Sequence, residues 1–154
     1  MVLADPAIYE FENEPPASVE SLRARYTRLE DRVSPEGNEL WLNWAVRHPS
    51  GELAGFVQAT VLATKQAYVA YVLASRYWRQ GIATSAVHAV LTDLAASYSV
   101  NEAFAVLKVA NFRSIGLLNK LGFTAVEPDD TSPWQPEHDE VTMHLPLGGS
   151  ANAA

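Results

Sequence analysis

The sequence predicts an α+β domain, and three observations predict it. Stretches 40–48, 53–63 and 66–74 are rich in Val, Leu, Tyr and Trp and follow one another on short connections, the pattern of an antiparallel meander. The last of them passes through a polar turn into a helical pattern that opens at Gly81. A second strand-to-helix unit then runs from Phe104 through Asn111 to Gly122, with two further strand patterns behind it.

Taken in order, residues 1–16 carry several acidic side chains and end in Pro15-Pro16, which favours extended chain. Ser18 can cap a helix over 18–32 with Val19, Leu22, Tyr26 and Leu29 on one face. Ser34-Pro-Glu-Gly-Asn38 is a turn, and His48-Pro-Ser-Gly-Glu52 joins the first two strands. Trp41, Trp44 and Tyr71 are expected in the core. The helix from Gly81 to about Tyr98 shows a broad apolar face of Ile82, Val87, Val90, Leu91 and Leu94, with His88 as a structural residue of the same pattern. A short buried strand is expected over 104–109. Asn111 caps the next helix, whose core side carries Phe112, Ile115, Leu118 and Leu121 and whose left-handed stop is Gly122. Strands at 123–126 and 140–147 flank a loop over 128–136.

Length and composition bound the rest. With 154 residues, 48% apolar and 19% charged, one domain over 1–147 is expected, followed by a disordered tail at 148–154. The chain contains no apolar run of membrane-spanning length and no basic-then-apolar leader, so no membrane partner and a cytoplasmic location are expected. Zero cysteines exclude disulfides, thiolate metal sites and a cysteine nucleophile. The four histidines lack metal-site spacing, and no metal is predicted. A net charge of −7 disfavours nucleic acid and mildly favours a cationic substrate.

The first turn of a helix presents N–H groups without intrahelical acceptors at the positive end of the helix dipole, so a glycine-marked helix start after a strand is a place for phosphate. Gly81 permits close backbone approach, and Arg79 and Gln80 add a charge and a donor. Neither a Walker lysine nor a three-glycine dinucleotide fingerprint is present. A second stretch, Val106–Phe123, adds Asn111, Ser114, Leu121, Gly122 and Phe123 at the spacing Asn-x-x-Ser…Leu-Gly-Phe.

With Gly81-Ile-Ala83 in front of that signature, the chain resembles the GNAT superfamily of acetyl-coenzyme A-dependent N-acetyltransferases over roughly residues 40–145. Trp78, where the family usually has Arg or Gln, together with Tyr77, is similar to the Rim-type branch that acetylates ribosomal-protein N-termini. The resemblance implies an α/β/α sandwich with a mixed, mostly antiparallel sheet. It also implies a strand and a helix ahead of 18–32 for which little chain is present, so shortened N-terminal elements and an altered acceptor pocket are expected. Acetyl-coenzyme A would be the cosubstrate. Its pyrophosphate would lie on the backbone of Arg79, Gln80, Gly81, Ile82, Ala83 and Thr84, and its pantetheine arm along Val72, Leu73 and Ala74. A main-chain N–H near Val72 would polarise the acetyl carbonyl, Arg113 could touch phosphate, and Asn111 would face the ligand while capping its helix. Ser114 would steady the departing thiolate.

N-acetylation also requires a neutral amine, and an alkylamine with pKa near 10 is only about 0.1% neutral at pH 7. Where many relatives have a tyrosine acid this chain has Leu118, and where a base often stands it has Tyr68. Glu102, His138, Asp139 and Glu140 are the remaining candidates for a base, each more plausibly a surface group. The leading expectation is an N-acetyltransferase acting on a primary amine, a peptide N-terminus or a small molecule, by direct transfer in a ternary complex. The alternative is a non-catalytic acyl-coenzyme A-binding sensor or interaction module. A homodimer is compatible with either.

Overall fold

The computed structural model describes residues 2–11, 14–129 and 132–148. The tail expectation, apart from Gly148, lies outside these residues. The described chain opens with two 3-10 turns, Val2–Ala4 and Pro6–Tyr9. Helix α1 follows at Val19–Glu30, where the Ser18 hydroxyl accepts from the Ser21 N–H at 3.0 Å and the Ser21 hydroxyl accepts from the Ser18 N–H at 3.1 Å. It ends two residues before the expected Arg32, which takes a left-handed φ of 60°. Its apolar face is not buried as expected. Val19 is 57% exposed and no residue of the helix is buried; the helix packs chiefly on strand β1 (Glu39–Arg47), with Leu22 and Leu29 half-buried.

Strands β1, β2 (Leu53–Leu62) and β3 (Gln66–Leu73) form the antiparallel meander that the sequence predicts. Alternation places Leu42, Val57, Ala59, Val69 and Leu73 on one face. Helix α2 (Ile82–Tyr98) covers that face with Val87, Val90, Leu91 and Leu94, Val87 and Leu94 at 0% exposure. His88 points to solvent and takes no part in this packing. Between β3 and α2, a 3-10 turn at Ser75–Tyr77 is fixed by buried Tyr77, which donates to Glu52 at 2.7 Å.

Strand β4 (Glu102–Lys108) lies parallel to β3, after which come α3 (Phe112–Lys120), β5 (Thr124–Val126) and β6 (Glu140–Pro146). The sheet order β1-β2-β3-β4-β6-β5 has one parallel and four antiparallel neighbour pairs, the mixed, mostly antiparallel sheet of the expectation. α3 buries Leu118, at 1% exposure, and stops at Gly122 with φ 95°. Phe112, expected on the core side, is 65% exposed; at the first helical position it projects past the sheet and meets the edge of Phe11, with ring centroids 6.3 Å apart. One close approach constrains the meander. A Cβ on Gly55 would stand 2.0 Å from the Val72 carbonyl oxygen, so only glycine lets β2 run this near to β3.

Candidate active site

The β3–β4 ladder joins Gln66–Tyr68 to Glu102–Phe104 and goes no further. Beyond it, Val69–Leu73 pairs only with β2 and Ala105–Lys108 only with β6, so the two strands become the arms of a wedge with strand edges facing inward. Such edges can receive another extended chain by main-chain hydrogen bonding.

The β3 arm leads to the start of α2. Arg79 and Gly81 adopt left-handed φ values of 59° and 76°, and nothing stands within 4 Å of where a Gly81 Cβ would be. The Ser85 N–H makes the bond to the Gly81 carbonyl at 3.0 Å, which leaves the N–H groups of Ile82, Ala83 and Thr84 without intrahelical acceptors. Arg79 is exposed beside them, and Gln80 turns its side chain back to the Arg76 carbonyl at 3.0 Å. The Ala74 N–H donates to the Ala54 carbonyl at 2.9 Å and the Val72 carbonyl lies against Gly55 of β2, so of the strand-like edge expected at 72–74 only Leu73 turns its backbone toward the wedge.

On the other arm, Asn111 caps α3 by accepting from the Ser114 N–H at 3.2 Å. Half-buried Ser114 offers its carbonyl to the Tyr71 hydroxyl at 3.3 Å, a tie from β3 to α3. The Arg113 guanidinium lies 4.4 Å over the Trp78 ring, and the Trp78 indole donates to the Leu73 carbonyl at 2.8 Å. Ser114, Arg113 and the α2 start are thus brought to one end of the wedge.

The N-terminal segment closes this end. The Asp5 carboxylate accepts from the Ser75 N–H at 2.6 Å, and that bond chiefly holds its pKa below the ordinary value. Glu10 pairs with Arg113, and Phe11 lies against the same guanidinium at 5.3 Å. Sequence reasoning missed Asp5, Glu10 and Phe11. The Glu10–Arg113 contact spans 103 residues and has no local signature.

The base candidates divide between the tip of the β4 arm and the closed end of the wedge. Lys108 binds Glu137, Asp139 and Glu140 at 2.9, 3.0 and 3.2 Å; these bonds raise the lysine pKa and lower that of Asp139. Exposed His138 makes no such contact in this cluster. Glu102 accepts from Gln66 at 2.9 Å near the closed end of the wedge. Tyr68, on the last paired rung, is buried between Phe104 and Trp134, and burial raises its phenol pKa. Among the described residues no group of three or more His, Cys, Asp or Glu could hold a metal ion, and no helix is long and apolar enough to cross a membrane.

The sequence profile described as "Acetyltransferase (GNAT) domain" matches residues 1–124. The chain belongs to the GNAT acetyltransferase family. Solved structures agree on the fold. Spermidine N-acetyltransferase from Vibrio cholerae, in complex with CoA and spermine, superposes with a TM-score of 0.72 at 16% identity over 95% of this chain and 86% of that one. Ribosomal-protein-S5-alanine acetyltransferase from Vibrio fischeri gives 0.71 at 16% identity over 93% and 81%. A domain from Methanocaldococcus jannaschii gives 0.68 at 21% identity over 94% and 88%. No curated protein matches the sequence. GNAT enzymes take acetyl-coenzyme A as acetyl donor. The residues here fit that group: three N–H groups without intrahelical acceptors suit a pyrophosphate, and strand edges that part beyond Tyr68 and Phe104 suit an extended amide arm.

Proposed function

We propose that this GNAT domain transfers the acetyl group of acetyl-coenzyme A to a primary amine by direct attack within a ternary complex. The observation that carries the reading is the wedge: two strand edges parting beyond Tyr68 and Phe104, with one arm ending at an uncapped helix N-terminus. In this reading the backbone of Arg79, Gln80, Gly81, Ile82, Ala83 and Thr84 binds the pyrophosphate, and the edge of β3 at Leu73 orients the arm that carries the acetyl group. Asn111 fixes the first turn of α3 so that Ser114 can place its hydroxyl toward the leaving sulfur and steady the thiolate. The amine nitrogen forms a bond to the acetyl carbon as the carbon–sulfur bond breaks, and the ammonium proton leaves to solvent or a carboxylate. With no cysteine in the chain, a thiol-bound acetyl-enzyme is excluded. The structural likeness to spermidine and ribosomal-protein acetyltransferases supports a polyamine or a peptide N-terminus as acceptor.

A second reading, an acyl-coenzyme A-binding module without turnover, is favoured by the burial of both Tyr68 and Leu118, which removes the usual base and acid positions from the wedge. Thiol release from acetyl-coenzyme A across a panel of polyamines, peptides with free N-termini and aminoglycosides decides between them. The cysteine-free protein adds no thiol background. Release dependent on one amine class establishes transfer; coenzyme binding with no release on any amine establishes the module.

A further inference from the structure

Two lips bound the open end of the wedge, the turn at Ser75–Trp78 and the first turn of α3 at Asn111–Ser114. The N-terminal segment touches both. Asp5 accepts from the Ser75 N–H at 2.6 Å, and the 3-10 turn Pro6–Tyr9 carries the chain across to Glu10, whose carboxylate pairs with Arg113. Val2 is buried against the core, and Phe11 meets Phe112, so the crossing is anchored beyond both carboxylates. The Arg113 guanidinium also stacks on Trp78, three residues before the glycine that opens α2.

We infer that Glu10 is an internal competitor for the cofactor: its carboxylate occupies Arg113, and the coenzyme phosphates must displace it before Arg113 can serve them. The inference rests on the coenzyme reading of the wedge. A carboxylate held at the entrance to an anion site opposes a multiply charged anion by direct repulsion and by neutralising the cation that would attract it. The pair is partly exposed, so it is weak enough to be exchanged. Asp5 contributes differently, by holding the near end of the strap to the β3 lip.

Titration calorimetry with coenzyme A on the whole chain tests this. Glu10→Gln is expected to tighten coenzyme binding about three- to tenfold, the range set by a partly exposed ion pair plus relief of repulsion. Arg113→Gln weakens binding, and adding Glu10→Gln to it brings a clearly smaller gain, the part due to relief of repulsion alone. Asp5→Asn, which leaves Arg113 untouched, shifts affinity in the same direction as Glu10→Gln and speeds hydrogen exchange at residues 5–11. If the wild type binds coenzyme A and Glu10→Gln binds no better, or gains as much without Arg113, the competitor role is overturned while the coenzyme reading stands. If neither the wild type nor any variant binds coenzyme A, both fall together.

Discussion

The interior beneath α2 and the periphery formed by the N-terminal segment, α1 and the β5–β6 connection are held by different forces. Beneath α2, Val87 and Leu94 are wholly buried against alternate residues of β2, β3 and β4. At the periphery, no residue of α1 is buried, and beside a few apolar anchors such as Val2 and Trp134 the attachment uses polar ties: Asp5 on Ser75, Glu10 on Arg113 and the three carboxylates on Lys108. Apolar burial scales with area and fixes position, whereas exposed ion pairs are screened and each contributes little. The wedge lies between the two, one wall packed and its mouth tied.

Leu94→Ala should therefore cost most, about 2–5 kcal/mol by loss of burial and creation of a cavity, read as a lowered midpoint in urea unfolding. Gly81→Val comes next. Space is open around that Cβ, so the penalty is the left-handed φ of 76° rather than a clash, about 1–2 kcal/mol for a β-branched residue, and coenzyme A affinity should fall with the distorted turn. Unchanged affinity would remove the α2 start from the binding site. Ser18→Ala breaks the reciprocal cap of α1 and should cost about 1 kcal/mol or less, visible as faster exchange in α1 with α2 unaffected.

Acidification gives the smallest effect, and part of it falls on the periphery. Asp5 is held below the ordinary carboxyl value chiefly by the Ser75 N–H, and Asp139 chiefly by Lys108. A depressed folded pKa contributes stability that is complete above the unfolded value of about 4 and is lost as pH falls through the lower folded value. Asp5→Asn and Asp139→Asn should each lose less thermal stability than the wild type between neutral pH and about pH 3. Equal losses in all three proteins would deny these ties a part in acid sensitivity.

The interior was legible in the sequence because its signals are local: alternation in the strands, the 3.6-residue pattern of α2 and the cap at Asn111 each involve neighbours in the chain. Gly81 marked the α2 start between a strand pattern and a helical one, and its reading as a phosphate site needed Asn111, Ser114 and Leu121-Gly122-Phe123 behind it. Phe112 and α1 show the limit of the same method, since an apolar position predicts burial only if another element arrives to cover it. The strap was illegible for a related reason. Asp5 and Glu10 look like any solvated acids until folding brings residues some 70 and 103 positions away beside them. The acetyl-transfer reading depends on the local part; the entrance to the site depends on the other.

Gly55 has a consequence for how this chain can vary. It lies on β2, outside the wedge, yet its missing side chain is what allows the Val72 carbonyl to sit where it does. In a saturation scan, position 55 should reject even alanine, whereas Gly37, with open space around it, should tolerate exchange within the limits of its positive φ. Selection for transfer activity would then see the strand behind β3 as part of the site. A drift in acyl specificity would more readily arise at the mouth, where substitutions are cheap, than along the β3 arm, whose path another strand already dictates.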